Sequence, residues 1–346
     1  MKQHLTTILI LLTVLSLLTS CSLKPQESPM MPNPKFEGTP LPPEQESPGE
    51  HQEPQSSDST VTVTIDQLKN YMNQSYGMME FAQRFFSNYI IYKSQDGNYT
   101  YVPVNKELPP SDYDFSNLVN VGTKKVKELE YVVDGETVSL KGIDVSAYQG
   151  DIEWDKVAAS GVEFVFIRLG YRGYSSGKLV LDENVLQNAQ GAAENGIGVG
   201  VYFVTQAITE EEALEEAEFV LENIQGLDIT WPIALDMEEA ASAEARTTLL
   251  TSTQRTDHAI AFCERIKEAG HTPMLYTHIR WYLEEVQLER LTAYDKWFAQ
   301  YFNQPFFPYA FQIWQYSSSG SIDGIKGNVD YNISFVSYAD KEASNE

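Results

Sequence analysis

From residue 141 onward the chain alternates segments of strand character with segments of helix character, and this alternation limits the fold more than any other feature. Apolar runs at 141–145, 164–169, 198–204, 231–237 and 272–277 lie among amphipathic stretches at 154–160, 182–195, 209–224, 252–269 and 280–291. Antiparallel strands can be joined by a tight turn, whereas parallel ones need a crossover, usually a helix, so the repeat predicts βαβ units. Three further strand candidates, 296–301, 311–316 and 330–335, follow without helices. Eight strands with five helices predict an α/β fold, a closed or nearly closed barrel whose last three strands lack helical crossovers. In such barrels the working residues sit at the carboxyl ends of the strands.

The acidic residues obey that rule. Asp144 ends the first strand, Asp236 and Glu238 close the fourth in Trp231-Pro-Ile-Ala-Leu-Asp-Met-Glu238, and Asp330 opens the last. Positions two apart share one face of a strand, so Asp236 and Glu238 point together while Met237 faces away. Alone, such a pair reads more readily as a salt-bridged strand end. Barrel closure, however, brings the other two acids to the same rim. Crowded carboxyls raise one another's pKa, which supplies an acid and a base at neutral pH. Tyr171, Tyr202, Tyr276, Trp297, Tyr301, Trp314 and Tyr316 lie at or just beyond strand ends on that rim. Singly each reads as core; grouped, their flat faces suit sugar rings and predict a carbohydrate cleft.

Other features carry less. Forty-nine acidic against 24 basic side chains leave a net charge of −25, which argues against nucleic acid as a partner. Two cysteines, Cys21 and Cys263, make no disulfide framework, and five scattered histidines offer no metal site. No cofactor is expected. Cys263, within an amphipathic helix, reads as a buried small hydrophobe. Gly173-Tyr-Ser175-Ser-Gly177 matches a nucleophile-elbow pattern, but no helix follows directly, so it reads as a loop. The acidic run from Glu210 to Glu218 reads as a solvated helix face.

Residues 1–21 have a basic start, a short apolar run and small residues before Cys21, the pattern of a secretory signal. Residues 22–59 hold nine of the sixteen prolines and few apolar side chains, predicting a disordered linker. Residues 60–140 read as a small α+β region: a strand at 60–65, a helix whose apolar stripe runs from Leu68 to Phe86 and Tyr89, a strand at 98–104, and a hairpin signal at Val133-Asp134-Gly135-Glu136. Residues 337–346 form a tail.

Gly142-Ile-Asp144-Val-Ser-Ala-Tyr-Gln149-Gly150-Asp-Ile-Glu-Trp154 resembles the opening signature of glycoside hydrolase family 25, the Chalaropsis-type lysozymes. Phe166-Ile-Arg168-Leu-Gly170-Tyr171, Gly200-Val-Tyr202-Phe, Leu235-Asp236-Met-Glu238, Lys296-Trp297-Phe-Ala-Gln300-Tyr301, Trp314-Gln315-Tyr316 and Val329-Asp330-Tyr-Asn332 resemble later blocks in order. The resemblance covers 141–336 and implies a flattened TIM-like barrel of five βα units plus three strands. It implies a muramidase that cleaves the β-1,4 bond between N-acetylmuramic acid and N-acetylglucosamine in peptidoglycan. By the same resemblance Glu238 is the general acid, Asp236 orients the acetamido group or stabilises oxocarbenium-like charge, and Asp144 and Asp330 complete the acidic floor. Gln149 and Arg168 join the substrate-binding set. Whether a water or the substrate's own acetamide completes the reaction stays open. Leu18-Thr-Ser-Cys21 resembles the bacterial lipobox, implying lipidation at Cys21 and an enzyme anchored to the membrane outside the cytoplasm, otherwise secreted. A monomer is expected. The rivals are a chitinase-like hydrolase of family 18, which needs preceding acids that 231–235 lacks, a non-catalytic glycan binder, and a metal-dependent hydrolase.

Overall fold

A computed structural model describes residues 86–94, 98–123, 126–240 and 242–338. The expected signal, Cys21, the linker, the strand at 60–65 and most of the helix after it lie outside the described residues. The elements begin with β1 (Tyr89–Lys93), β2 (Tyr99–Pro103), β3 (Leu118–Asn120), β4 (Leu129–Val133) and β5 (Glu136–Thr137). Then come β6 (Leu140–Val145), α1 (Trp154–Ala159), β7 (Phe164–Arg172), β8 (Leu179–Leu181), α2 (Val185–Glu194), β9 (Gly198–Val204), α3 (Glu210–Asn223) and β10 (Ile233–Asp236). The last are α4 (Ser252–Glu268), β11 (Pro273–His278), α5 (Ile279–Glu284), β12 (Asp295–Ala299), β13 (Ile313–Gly320) and β14 (Val329–Ser334).

Strands β6, β7, β9, β10, β11, β12 and β13 pair in parallel succession. β14 then inserts antiparallel between β13 and β6 and closes the barrel. β8, too short to stand out in the sequence, adds to β7 as an outer ribbon. The turn between them contains Gly173–Gly177, closed by Gly173 N–H to the Lys178 carbonyl. Helices form where the sequence supplies both an apolar stripe and a cap. Thr209 accepts from the Glu212 N–H at the start of α3, and Thr251 with Gln254 makes a capping box before α4. Cys263 is fully buried on α4.

One acid of α3 departs from the expected solvated face. Glu216 is fully buried and pairs with Arg172 of β7 at 2.7 Å. Burial outweighs the ion pair to push its pKa up to about 7.

The barrel interior is plugged at its lower half by aromatic rings. Phe164 stacks on Trp231 at 4.0 Å and Phe166 on Trp297 at 4.4 Å. Two glycines make room: a Cβ at Gly142 would sit 2.1 Å from the Phe164 ring, and one at Gly198 would sit 2.1 Å from the Trp231 indole nitrogen.

Helices cover β6 to β11, and the outer face of the last strands is covered by the segment before the barrel. Tyr113 stacks on Phe335 at 4.3 Å, while Phe115 and Tyr131 pack against Phe311 and Phe335. Backbone bonds from Ser111 N–H to the Pro308 carbonyl and from Ala310 N–H to the Pro109 carbonyl close the seam. The β4–β5 turn has Asp134 at φ 53° and Gly135 at φ 87°, the left-handed pair a two-residue hairpin requires. Phe86 and Tyr89 correct the expected helical stripe. Tyr89 opens β1, with Phe86 in the turn before it, and both side chains are exposed.

Candidate active site

The site follows from strand parity. Successive side chains alternate faces, so each barrel strand contributes every second residue inward. At the carboxyl end of β6 this places Asp144; on β10 it places Asp236; on β14, running the other way, Asp330 and Asn332. Asp330 and Asp144 are direct cross-strand partners. The Gln315 and Asn332 side-chain amides both donate to Asp144 Oδ2, each at 2.8 Å. Burial first, and then the Asp330 charge, hold Asp144 well above the usual carboxylate range.

Beyond β10 the chain stays extended for two more residues. Met237 N–H donates to the Tyr276 carbonyl at 3.0 Å, and Thr277 Oγ1 donates to the Met237 carbonyl at 2.5 Å. Met237 is buried outward, which leaves Asp236 and Glu238 on the inner side. Asp236 is 4% exposed, and its Oδ1 has no hydrogen-bond partner among the described residues. Burial and the charges of Glu238 and Asp144 push it well up, with Arg168 opposing. Glu238 stands at the mouth, open to solvent at its tip but hemmed in by protein. Burial and the Asp330 charge raise its pKa. Four carboxyls thus share one rim, and together they hold protons above the ordinary range.

The aromatic residues divide. Tyr276 and Tyr301 both donate their hydroxyls to Gln315 Oε1, at 2.9 and 2.8 Å, and Tyr301 is 53% exposed. Tyr202 is partly buried and meets the Trp297 ring edge-on. Its hydroxyl pKa is raised by burial and by Asp144 and Asp236. Tyr171 is exposed, beside Arg168. Trp297 is a floor residue rather than a sugar platform: it is 1% exposed, and its indole N–H donates to Asn332 Oδ1 at 2.8 Å.

Trp314 and Tyr316 are corrected more sharply. Both are buried in the outer core, where Trp314 donates to the Gln300 carbonyl and Tyr316 accepts from the Leu129 N–H. Gln315, between them, is the inward residue. Gln149 is likewise committed locally, since its Oε1 accepts from the Ser146 N–H in a capping box.

Arg168 is held by Asp182, with Nε at 2.8 Å and Nη2 at 2.7 Å from Oδ2. Asp182 also accepts from the Ala147 N–H, so one buried carboxylate orients both Arg168 and the turn that follows β6. That turn presents Tyr148, 87% exposed, with the Arg168 guanidinium 5.2 Å from its ring centre. Sequence reasoning gave no role to Gln315, Asn332, Asp182 or Tyr148. Counting in steps of two from Ile313 and Asp330 would have found the first two.

A barrel with clustered carboxyls at the mouth of its parallel strands, raised in pKa and standing beside exposed tyrosines, is a site fit for acid catalysis on a sugar. A model of the Glycosyl hydrolases family 25 matches residues 143–325. The Autolytic lysozyme of Clostridium acetobutylicum is 28% identical over 192 residues, 55% of this chain and 54% of its own. Lysozyme M1 of Streptomyces globisporus is 26% identical over 255 residues, 66% of this chain and 80% of its own. Among solved structures, a family 25 glycosyl hydrolase from Bacillus anthracis aligns over 65% of this chain and 98% of its own, with TM-score 0.51 and 21% identity. The modular autolysin LytC from Streptococcus pneumoniae aligns over 72% of this chain and 57% of its own, with TM-score 0.51 and 22% identity. These structural likenesses show the fold. The chain belongs to glycosyl hydrolase family 25, and it is an enzyme of the lysozyme type.

Proposed function

We propose that this enzyme is a peptidoglycan muramidase in which Glu238 is the general acid and Asp236 positions the substrate's acetamido group. The observation that carries the assignment is the pairing of a rim carboxyl with a buried one. Glu238 is raised in pKa yet reachable from solvent, so it can hold a proton for the glycosidic oxygen near neutral pH. Asp236 Oδ1 is buried without a donor among the described residues, a costly state unless a bound molecule supplies one. An acetamido N–H is such a donor. As the C–O bond breaks, its electron pair leaves with the oxygen that receives the Glu238 proton. The positive charge growing at the anomeric carbon then faces the acidic rim of Asp144, Asp236 and Asp330, and a water closes the reaction: its oxygen ends bonded to that carbon, and the proton it sheds restores Glu238 to its acid form. Gln315 and Asn332 hold Asp144 in place, and Tyr276 and Tyr301 fix Gln315 in turn.

The work is extracytoplasmic, at the cell wall. Cys21 is the lipidated residue of the mature protein, and the linker after it serves as a tether that keeps the enzyme near the membrane surface. Such a tether raises local concentration without any contact to the wall, which a protein of charge −25 needs against an anionic polymer. The test is mass spectrometry of products from defined muropeptide chains. Wild type should release new reducing ends at muramic acid, and Glu238→Gln should not. Reducing ends at glucosamine, or full activity in a folded Glu238→Gln protein, would overturn the assignment.

A further inference from the structure

The β1–β2 hairpin lies outside the family-matched block, yet it forms one wall of the groove that leads away from the acids. A groove of about 770 Å³ is lined by Glu238, Tyr276 and Tyr301 and, on the hairpin, by Tyr92, Lys93 and Tyr99. Lys93 and Tyr99 are cross-strand partners, with the Lys93 ammonium 5.4 Å from the Tyr99 ring centre. Both side chains are exposed, Tyr99 at 41%. Among the described residues Lys93 makes no ion pair.

The hairpin itself is fixed. Ile90 and Tyr92 are buried, and the Tyr92 hydroxyl donates to Glu284 Oε1 at 2.5 Å. Glu284 also pairs with Arg280, and Arg280 pairs with Glu239, the neighbour of Glu238. A chain of side chains therefore connects the hairpin to the end of β10. The wall is anchored on the same support as the catalytic acid.

We propose that Tyr99 and Lys93 form a distal subsite for a sugar unit of the same glycan strand whose bond Glu238 breaks. This rests on the muramidase reading and names an added part of its substrate site. Tyr99 supplies a flat apolar face for a sugar ring, and Lys93 supplies a cation for the carboxylates that muramyl units and their peptide stems carry. Among the groove's lining residues Glu238 is the one acid and Arg280 is ion-paired to Glu239 and Glu284, so Lys93 is the cation left for the strand's carboxylates. A chain long enough to reach from the acids to the hairpin gains this contact; a short one does not.

The test compares steady-state kinetics on long soluble peptidoglycan strands and on the shortest muropeptide that wild type cleaves. Tyr99→Ala should raise KM on long strands about tenfold, the scale of one lost aromatic contact, leaving kcat and the short substrate unchanged. Tyr99→Trp should restore the long-strand KM. Lys93→Gln should raise that KM several-fold and flatten its salt dependence. Unchanged long-strand KM in both Tyr99→Ala and Lys93→Gln overturns the subsite. If Tyr99→Ala lowers thermal stability, the Lys93→Gln comparison decides. Should wild type release no muramic-acid reducing ends, the muramidase reading fails separately. Titration of strands into Glu238→Gln, with and without Tyr99→Ala, then decides the subsite by affinity alone.

Discussion

The lower and upper halves of the barrel interior are built by the same strands and have opposite character. Two residues separate them: Phe166 from Arg168, Ala234 from Asp236, Met274 from Tyr276, Ile313 from Gln315. Below, stacked rings are nearly inaccessible to solvent; above, Asp144 and the Gln315 and Asn332 amides form one connected network. The contrast teaches that the floor is part of the chemistry. A dry aromatic layer under the acids withholds the water that would otherwise solvate their charges, and burial is the first cause of every raised carboxyl at the rim.

Substitutions on either side of this divide should separate activity from stability. The largest effect is expected at the rim: Glu238→Gln should lower kcat about 10³-fold with an unchanged thermal midpoint, because the residue is solvent-reachable and packs no core. An equal fall in stability would show that Glu238 is part of the packed core. Next comes the floor. Phe166→Ala should cost about 3–5 kcal/mol in urea unfolding, and the molecules that remain folded should lose part of their kcat, because water entering the vacated layer solvates the acids above it.

Asp236→Asn crosses the divide. It removes a buried, unsatisfied acid, so we expect stability to rise by about 1 kcal/mol while activity falls about a hundredfold; calorimetry and kinetics on one preparation check both. The smallest expected effect concerns pH. Glu238 must be protonated to act, so activity falls as pH climbs through its raised pKa. Asp330 is one cause of that rise. Asp330→Asn should therefore move the alkaline limb of kcat/KM to lower pH, by about one unit or less. A shift the other way would break the electrostatic account.

Much of this architecture is legible in the sequence because its signals are local. Each barrel strand is a short apolar run next to a helix or a turn, and Asp144, Asp236, Glu238 and Asp330 declare themselves as acids at strand ends. What escapes reading depends on parity or on distance. Trp314 and Tyr316 look like rim aromatics by position along β13, but the two-residue period turns both outward and gives the inward place to Gln315. Amides such as Gln315 and Asn332 have no chemistry of their own to mark them; their role comes from the oxygen they face. Glu216 sits in a run of acids whose companions are solvated, and only its partner Arg172 on β7 explains its burial. Lys93 lies far from Glu238 in the chain, and nothing local announces that they share a groove.

The antiparallel closure of the barrel has a consequence for modularity. β12 to β14 follow one another without helices, so that flank has no covering of its own, and Tyr113, Phe115 and Tyr131 supply one from outside the family-matched block. Excised at residue 143, the catalytic unit would display Phe311, Phe335, Trp314 and Tyr316 as a bare adhesive wall. The portable piece of this enzyme, for grafting or for exchange between proteins, begins upstream of Pro109, well before residue 143, where the family match starts.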